Sequence, residues 1–501
     1  MNQVSRGKRS AGLYPGYIAL LFILGWLSGG DSAVPMLMAA AVVGCAFLIL
    51  AAPHHTLLPL LVTSVAYQAF VEAFPLTVGG VFVEPTYIAL AFLVTGVLLF
   101  AFRRPGPAGR APIATEVGLF VAVLCVPALV GVVGGHELQS VLRAGRPAAF
   151  YAAFFVAWYL IRSECQVRWV MWAVAYLGLL AGGYLVLSRL MGWQWSNGMS
   201  LVELSSGVVS RGYGWWSAMP WYVYSSLILM AFAVHSREPR RVRMWALAGS
   251  ALMLVAVIST FVRGDFVGFL GGAAVVSLSA VTSSDGGSVT RRRLGVMVVA
   301  SFLVVAALVS FGQSVPLVRD ATERITSIAN PAATVTGAAG SREYRLVGIA
   351  IGWSNAVRHP FGTGYGYAQS GPTAKQLSDS QYASHGVLSW VGTYLGWVGG
   401  AFALVVMFLV ALRVASRIQR ASGPMNWTAV GAAAILAAMF AQGLSENVFF
   451  TFMPTYPLIP LMLVVVFRSS PKELDGHPVR VQVSSTSSMS TRLPAQSVGG
   501  K

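Results

Sequence analysis

The chain has 501 residues, 56 % of them hydrophobic and 10 % charged. A soluble domain carries about 25 % charged residues, so this composition excludes one. At about 20 residues per membrane-spanning helix the apolar residues would fill about 14 spans, and 3 cysteines exclude a disulfide scaffold or a multi-cysteine zinc site. The net charge of +17 resembles a nucleic-acid signal, and its location along the chain decides whether it is one.

The N-terminal segment, 1–12, is basic and precedes an apolar run. It has the plan of a signal peptide, but no small-x-small cleavage site follows, so the run reads as an uncleaved first span. Apolar periodicity then places spans near 13–29, 33–52, 56–73, 85–102, 113–134, 147–161, 168–190, 217–235, 244–261, 264–281 and 294–311. Three more follow near 385–412, 427–443 and 446–467, within 385–467. The run 244–281 is too long for one span and breaks at Arg263-Gly264-Asp265, where charge is costly in lipid. It reads as a tight hairpin with its tip in water or a polar cavity. The expected architecture is therefore an all-α polytopic membrane protein of about 14 helices: eleven spans over 13–311, a long extracytoplasmic loop over 312–384, and three further spans.

With the N-terminus inside, the alternate short segments 103–110, 162–168, 236–243, 290–293 and 413–420, together with both termini, hold 23 of the 34 Lys and Arg residues. This is the positive-inside pattern. The inner side also carries 6 of the 17 acids, so it holds the whole net charge, and the outer side is neutral. The charge faces anionic lipid head groups and implies no nucleic acid. The Ser/Thr-rich tail over 468–501 reads as disordered and cytoplasmic, and no internal repeat is visible.

Long loops without regular structure are usually functional. In 312–384, Asp320–Ile328 fits a short helix and Gly337–Gly340 a small-residue break. Ser341 fits an N-cap, and Leu346, Ile349, Trp353 and Val357 form one apolar stripe of a helix that Pro360 stops. Arg342 and Arg345 share a face near its start. Gly362, Gly364, Tyr365 and Gly366 follow as a turn whose amides could approach an anion, and His385 opens the next span ahead of Gly392, Gly396, Gly399 and Gly400. Arg211 lies in the 191–217 loop and Arg263 in the hairpin tip. Arginine grips phosphate bidentately at any relevant pH, and several arginines converging at the outer face would suit a lipid-anchored diphosphate. Arg143, Arg146 and Arg358 read as snorkelling interface residues, and the adjacent His54 and His55 lack partners for a metal site. A histidine near neutral pKa, such as His385, suits a general base. No HExxH or Walker motif occurs, the outer acids are scattered, and nothing asks for a metal or other cofactor.

The stretch Arg345 to Gly366, an arginine, a helix and a Pro-x-Gly-x-Gly turn, followed by His385 to Gly400, resembles the core of the O-antigen ligase and O-antigen polymerase superfamily. Thr260-Phe261-Val262-Arg263-Gly264 resembles the family's Thr-x-Ser-Arg-Gly element, with Val262 where serine is usual. Ser210-Arg211-Gly212 resembles its Arg-Gly segment before an earlier span. Gly386 and Tyr394 stand where the family often has asparagine and an acid. The resemblance implies a GT-C-like glycosyltransferase of the bacterial inner membrane, both termini cytoplasmic, with its active site outside. Its donor would be a glycan on a polyprenyl diphosphate and its acceptor a hydroxyl of a glycan or glycolipid. Arg263, Arg345, Arg211 and Arg342 would hold the diphosphate, His385 would act as base, and Pro360, Gly362, Gly364, Tyr365 and Gly366 would form a substrate loop. No metal would be needed and the anomeric centre would invert.

Two other classes share the hydropathy. A lipid-linked-oligosaccharide flippase or other transporter commonly shows two related halves, which this chain lacks. A metal-dependent transferase using a polyprenyl monophosphate sugar usually has acids in its first outer loop, and only Asp31 lies there. Polymerase and ligase share donor chemistry and differ in acceptor; the reading leans slightly to polymerase.

Overall fold

The computed structural model describes residues 53–66, 77–78, 81–82, 89–91, 93–94, 97–98, 111–191, 201–204, 207–210, 218–260, 262–282, 337–367, 386–420, 426–445 and 455–469. A 3₁₀ turn, Pro53–Thr56, leads into α1 (Leu57–Val65). Next come α2 (Ala114–Val133), a short α3 (Leu138–Ala144), α4 (Arg146–Leu160) and α5 (Glu164–Leu190). Three consecutive helices follow, α6 (Met219–His235), α7 (Arg240–Thr260) and α8 (Arg263–Thr282). After α9 (Gly337–Arg358), α10 (Val387–Trp390) runs through a π-helical turn, Val391–Leu395, into α11 (Gly396–Arg420). The last two are α12 (Asn426–Ser445) and α13 (Leu458–Arg468).

Apart from α3 and α9, these helices fall on the apolar segments read from the sequence, and five stretches among the described residues are long and apolar enough to cross a membrane. The expected spans 13–29, 33–52 and 294–311, and the expected helix at 320–328, lie outside the described residues. The all-α expectation needs one refinement. Two antiparallel ribbons interrupt the helices: β1 (Thr77–Val78) with β2 (Val81–Phe82), and β3 (Leu201–Leu204) with β4 (Gly207–Ser210). Helix α9 also begins at Gly337, so Ser341 is inside it rather than capping it. Ala338 and Ala339, strong helix formers, carry the helix through the small-residue stretch.

Helix α6 is the hub. Every residue from Pro220 to His235 is buried, as suits a helix apolar on all sides. Its neighbours approach on small residues. A Cβ on Gly178 of α5 would stand 2.6 Å from the Trp221 carbonyl oxygen, and one on Gly272 of α8 would stand 2.9 Å from Leu227 Cδ2. Ser225 Oγ donates to the Ala175 carbonyl at 2.9 Å, filling the groove that Gly178 opens. Small residues inside and large apolar ones outside is how helices pack in lipid.

Among the described residues, several basic side chains are held at one end of the bundle. Arg413 pairs with Glu116 at 2.6 Å, Arg417 donates to the Phe467 carbonyl at 3.0 Å, and Arg468 lies over the Trp158 ring and donates to the Trp158 carbonyl. The hairpin tip between α7 and α8 and the turn after α9 lie at the other end.

Candidate functional site

The tip forms because α7 stops at Thr260 and α8 starts at Arg263. The break thus falls just before Arg263-Gly264-Asp265, and those three residues make the first turn of α8. Val262 takes the N-cap place, its carbonyl accepting from the Asp265 amide at 3.2 Å and the Phe266 amide at 3.4 Å. A serine there would cap the helix with its own hydroxyl. Valine has none, and the neighbouring Thr260 fixes the linker instead: its Oγ1 accepts the Val262 amide at 3.2 Å and donates to the Val257 carbonyl at 2.7 Å.

Asp265 is buried at the positive end of the α8 dipole, 3.4 Å from Thr260 Oγ1. Gln442 of α12 donates through Nε2 to Asp265 Oδ1 at 2.9 Å and accepts through Oε1 from the Tyr224 hydroxyl at 3.0 Å. Four helices, α6, α7, α8 and α12, thereby clamp the tip that carries Arg263 in a buried polar chain. Gly268 lets Gln442 in: a Cβ there would stand 2.5 Å from Gln442 Cγ. Sequence reasoning missed Gln442 and Tyr224. The available signal was a glutamine inside an apolar span, since a polar side chain in lipid normally has a partner.

The turn after α9 is built on three left-handed glycines, Gly362, Gly364 and Gly366, with φ of 82°, 79° and 81°. It is wedged between α2 and the π-helical turn. The Gly362 amide donates to the His359 carbonyl at 2.8 Å, Thr363 to the Thr393 carbonyl at 2.9 Å, and Tyr365 to the Pro127 carbonyl at 2.8 Å. Those amides are engaged within the protein. His136 Nδ1 lies 2.7 Å from the Tyr365 carbonyl and therefore carries the proton. The Tyr365 ring is fully buried beside Trp390 and Tyr394, with centroids 5.8 and 5.9 Å away. Gly396, with φ of 66°, admits the return contact in which the Val398 amide donates to the Pro360 carbonyl at 3.1 Å.

Arg342 and Arg345 occupy the first half of α9, one turn apart, and α9 packs along α10 and the π-helical turn. Of Arg263, Arg342 and Arg345 the structure describes the backbone, and Arg211 and His385 lie outside the described residues; the chain resumes at Gly386, the N-cap of α10. Among the described residues no three His, Cys, Asp or Glu side chains cluster as metal ligands would. The tip, the start of α10 and the glycine turn nevertheless share one end of the bundle, joined through α12 and α9.

Residues 248–404 match the O-antigen ligase family. The matched domain covers 157 of the 501 residues. The domain runs from the middle of α7 into α11 and contains Arg263, Arg342, Arg345, Pro360 to Gly366 and His385; Arg211 falls before it. No curated protein matches the chain. The five described stretches long and apolar enough to cross a membrane mark a multi-pass membrane protein.

Proposed function

We propose that this protein transfers a glycan from a polyprenyl diphosphate to an acceptor hydroxyl at the outer face of the bacterial inner membrane. The observation that carries the reading is the content of the matched domain. Arg263, Arg342, Arg345 and His385, residues of the types that diphosphate departure and hydroxyl attack call for, fall inside it. In this reading the acceptor oxygen attacks the anomeric carbon from the side opposite the diphosphate. The carbon–oxygen bond to the diphosphate breaks and the leaving group takes the electron pair. Arg263 and Arg345, with Arg342 and Arg211, neutralise the charge it gains, and a ring nitrogen of His385 takes the hydroxyl proton. Inversion follows from that geometry, and no step asks for a metal.

The basic end of the bundle faces the cytoplasm in this reading, both termini lie there, and the site end faces outward. The full count of 14 spans and the GT-C-like topology belong to the same proposal. Exchanging Arg263, Arg345 or His385 for alanine should each abolish glycan transfer while the protein still inserts; unchanged transfer in all three would sink the assignment. Sizing the surface glycan of a deletion strain then separates the two acceptor classes. Single units without long chains mean polymerase, and free polymer without its anchor means ligase.

A further inference from the structure

Helix α9 falls in the segment 312–384 that hydropathy assigns to an outer loop, yet its packing inverts that of a helix in water. Among its described residues the buried ones are Gly348, Gly352 and Ala356, spaced four apart, with Asn355 beside Ala356. Ser389 Oγ donates to the Gly348 carbonyl at 2.6 Å, a Cβ on Gly352 would stand 2.7 Å from the Ser389 carbonyl oxygen, and one on Gly392 would stand 2.5 Å from the Gly352 carbonyl oxygen. Large apolar side chains among its described residues face away from the protein. Trp353, Val357 and the following Phe361 are 68 %, 65 % and 61 % exposed. A helix bathed in water buries such residues and exposes its small ones.

Depth can be read along the neighbours. From the Glu116–Arg413 pair, Gly131 stands about 22 Å along α2 and Gly396 about 26 Å along α11 at the helical rise. A hydrocarbon core is about 30 Å thick, and helix tilt only brings both positions deeper. The turn Pro360–Gly366 touches both Gly131 and Gly396, so it reaches below the outer boundary of the hydrocarbon if the ion pair marks the inner one. Going from Gly348 to Pro360, α9 meets Ser389, then Gly392, then Val398, so it descends parallel to the chain that becomes α11. Helix α11 likewise exposes large apolar side chains, Trp397, Val405 and Phe408. Arg358 and His359 at its lower end are exposed as well. A Cα–Cβ bond tilts towards the helix N-terminus, here upward, which lets Arg358 snorkel to the head groups.

We propose that the second half of α9 and its glycine turn form a re-entrant segment dipping into the outer leaflet, with Ile349, Trp353, Val357 and Phe361 against lipid acyl chains. The test uses the full chain with Cys45, Cys125 and Cys165 changed to serine, in liposomes. Single cysteines replace Trp353, Val357 or Phe361 and carry a nitroxide; F408C is the lipid reference and R420C the water reference. These side chains are exposed, so the exchanges remove no packed contact. Oxygen should relax the labels at Val357 and Phe361 several-fold more than a water-soluble nickel chelate does, as at Phe408, with Trp353 intermediate. A chelate response like that of Arg420 would place the stripe in water, and protection from both reagents would place it under protein; either overturns the proposal.

Discussion

Gly364 and Gly131 meet backbone to backbone: a Cβ on Gly364 would stand 2.5 Å from the Gly131 nitrogen and 2.9 Å from the Val130 carbonyl carbon. The contact seats the turn after α9 on the top of α2. Alanine at 364 carries two penalties, a left-handed φ worth about 1–2 kcal/mol and a collision with main chain that cannot swing away. Gly135 supplies the control. Its φ is 74°, yet nothing lies within 4 Å of its Cβ position. G364A should lower the melting temperature clearly more than G135A and should lose transfer activity. Equal effects would mean that the backbone contact does not hold the turn.

The Asp265–Gln442 hydrogen bond predicts a graded series. Gln442→Leu removes a donor from a buried carboxylate and should cost about 1–3 kcal/mol. It also loosens the tip that carries Arg263, and misplacement of about 1 Å at a reacting centre can cost about 10²-fold in rate. Tyr224→Phe removes only the outer member of the chain and should cost about 1 kcal/mol. The measurement is thermal unfolding in detergent beside transfer rate. A Gln442→Leu protein as active as the parent would show that the clamp does not position Arg263.

The helix positions were legible because lipid demands long apolar segments, and the break at Arg263 was legible because a charge there is costly. The order of Arg263, Arg345, the glycine turn and His385 was legible too, and the O-antigen ligase match covers it. What escaped was partnership across the chain. Gln442 finds Asp265 at a separation of 177 residues, which no local pattern reports. The stripe of Ile349, Trp353 and Val357 had the right period, but period alone does not say which solvent a face meets. Here the glycines pack and the large side chains face out. Two- and four-residue strands are also too short to stand out beside apolar helices.

Arginine and lysine separate at the proposed diphosphate site. Lysine keeps the charge but loses the planar fork that fits a phosphate with two hydrogen bonds. Arg263→Lys and Arg345→Lys should therefore each lower transfer, towards the roughly 10²–10³-fold loss of a missing charge-stabilising donor. Arg358→Ala, at an exposed interface position, should leave transfer near the parental rate. If lysine restores full activity at both sites, charge alone suffices there.

At the basic end, His54 and His55 predict how stability depends on pH. Their rings lie 4.1 Å apart and pack on Trp169 at 5.7 and 5.3 Å, with His54 Nδ1 3.2 Å from Gln166 Nε2. Burial pushes both imidazoles down from 6.5 to about 4, and the neighbouring His55 adds to the effect on His54. Both are thus neutral in the folded protein at neutral pH. Between about 6.5 and 4 the unfolded chain binds more protons than the folded one, so protonation favours unfolding. Their contribution is fully present above about pH 6.5 and is lost as the pH falls towards 4. Melting temperature measured in detergent from pH 7.5 downward should drop through that window. H54Q/H55Q, whose amides do not titrate there, should flatten the drop. A double variant with the parental slope would assign the acid sensitivity to other groups.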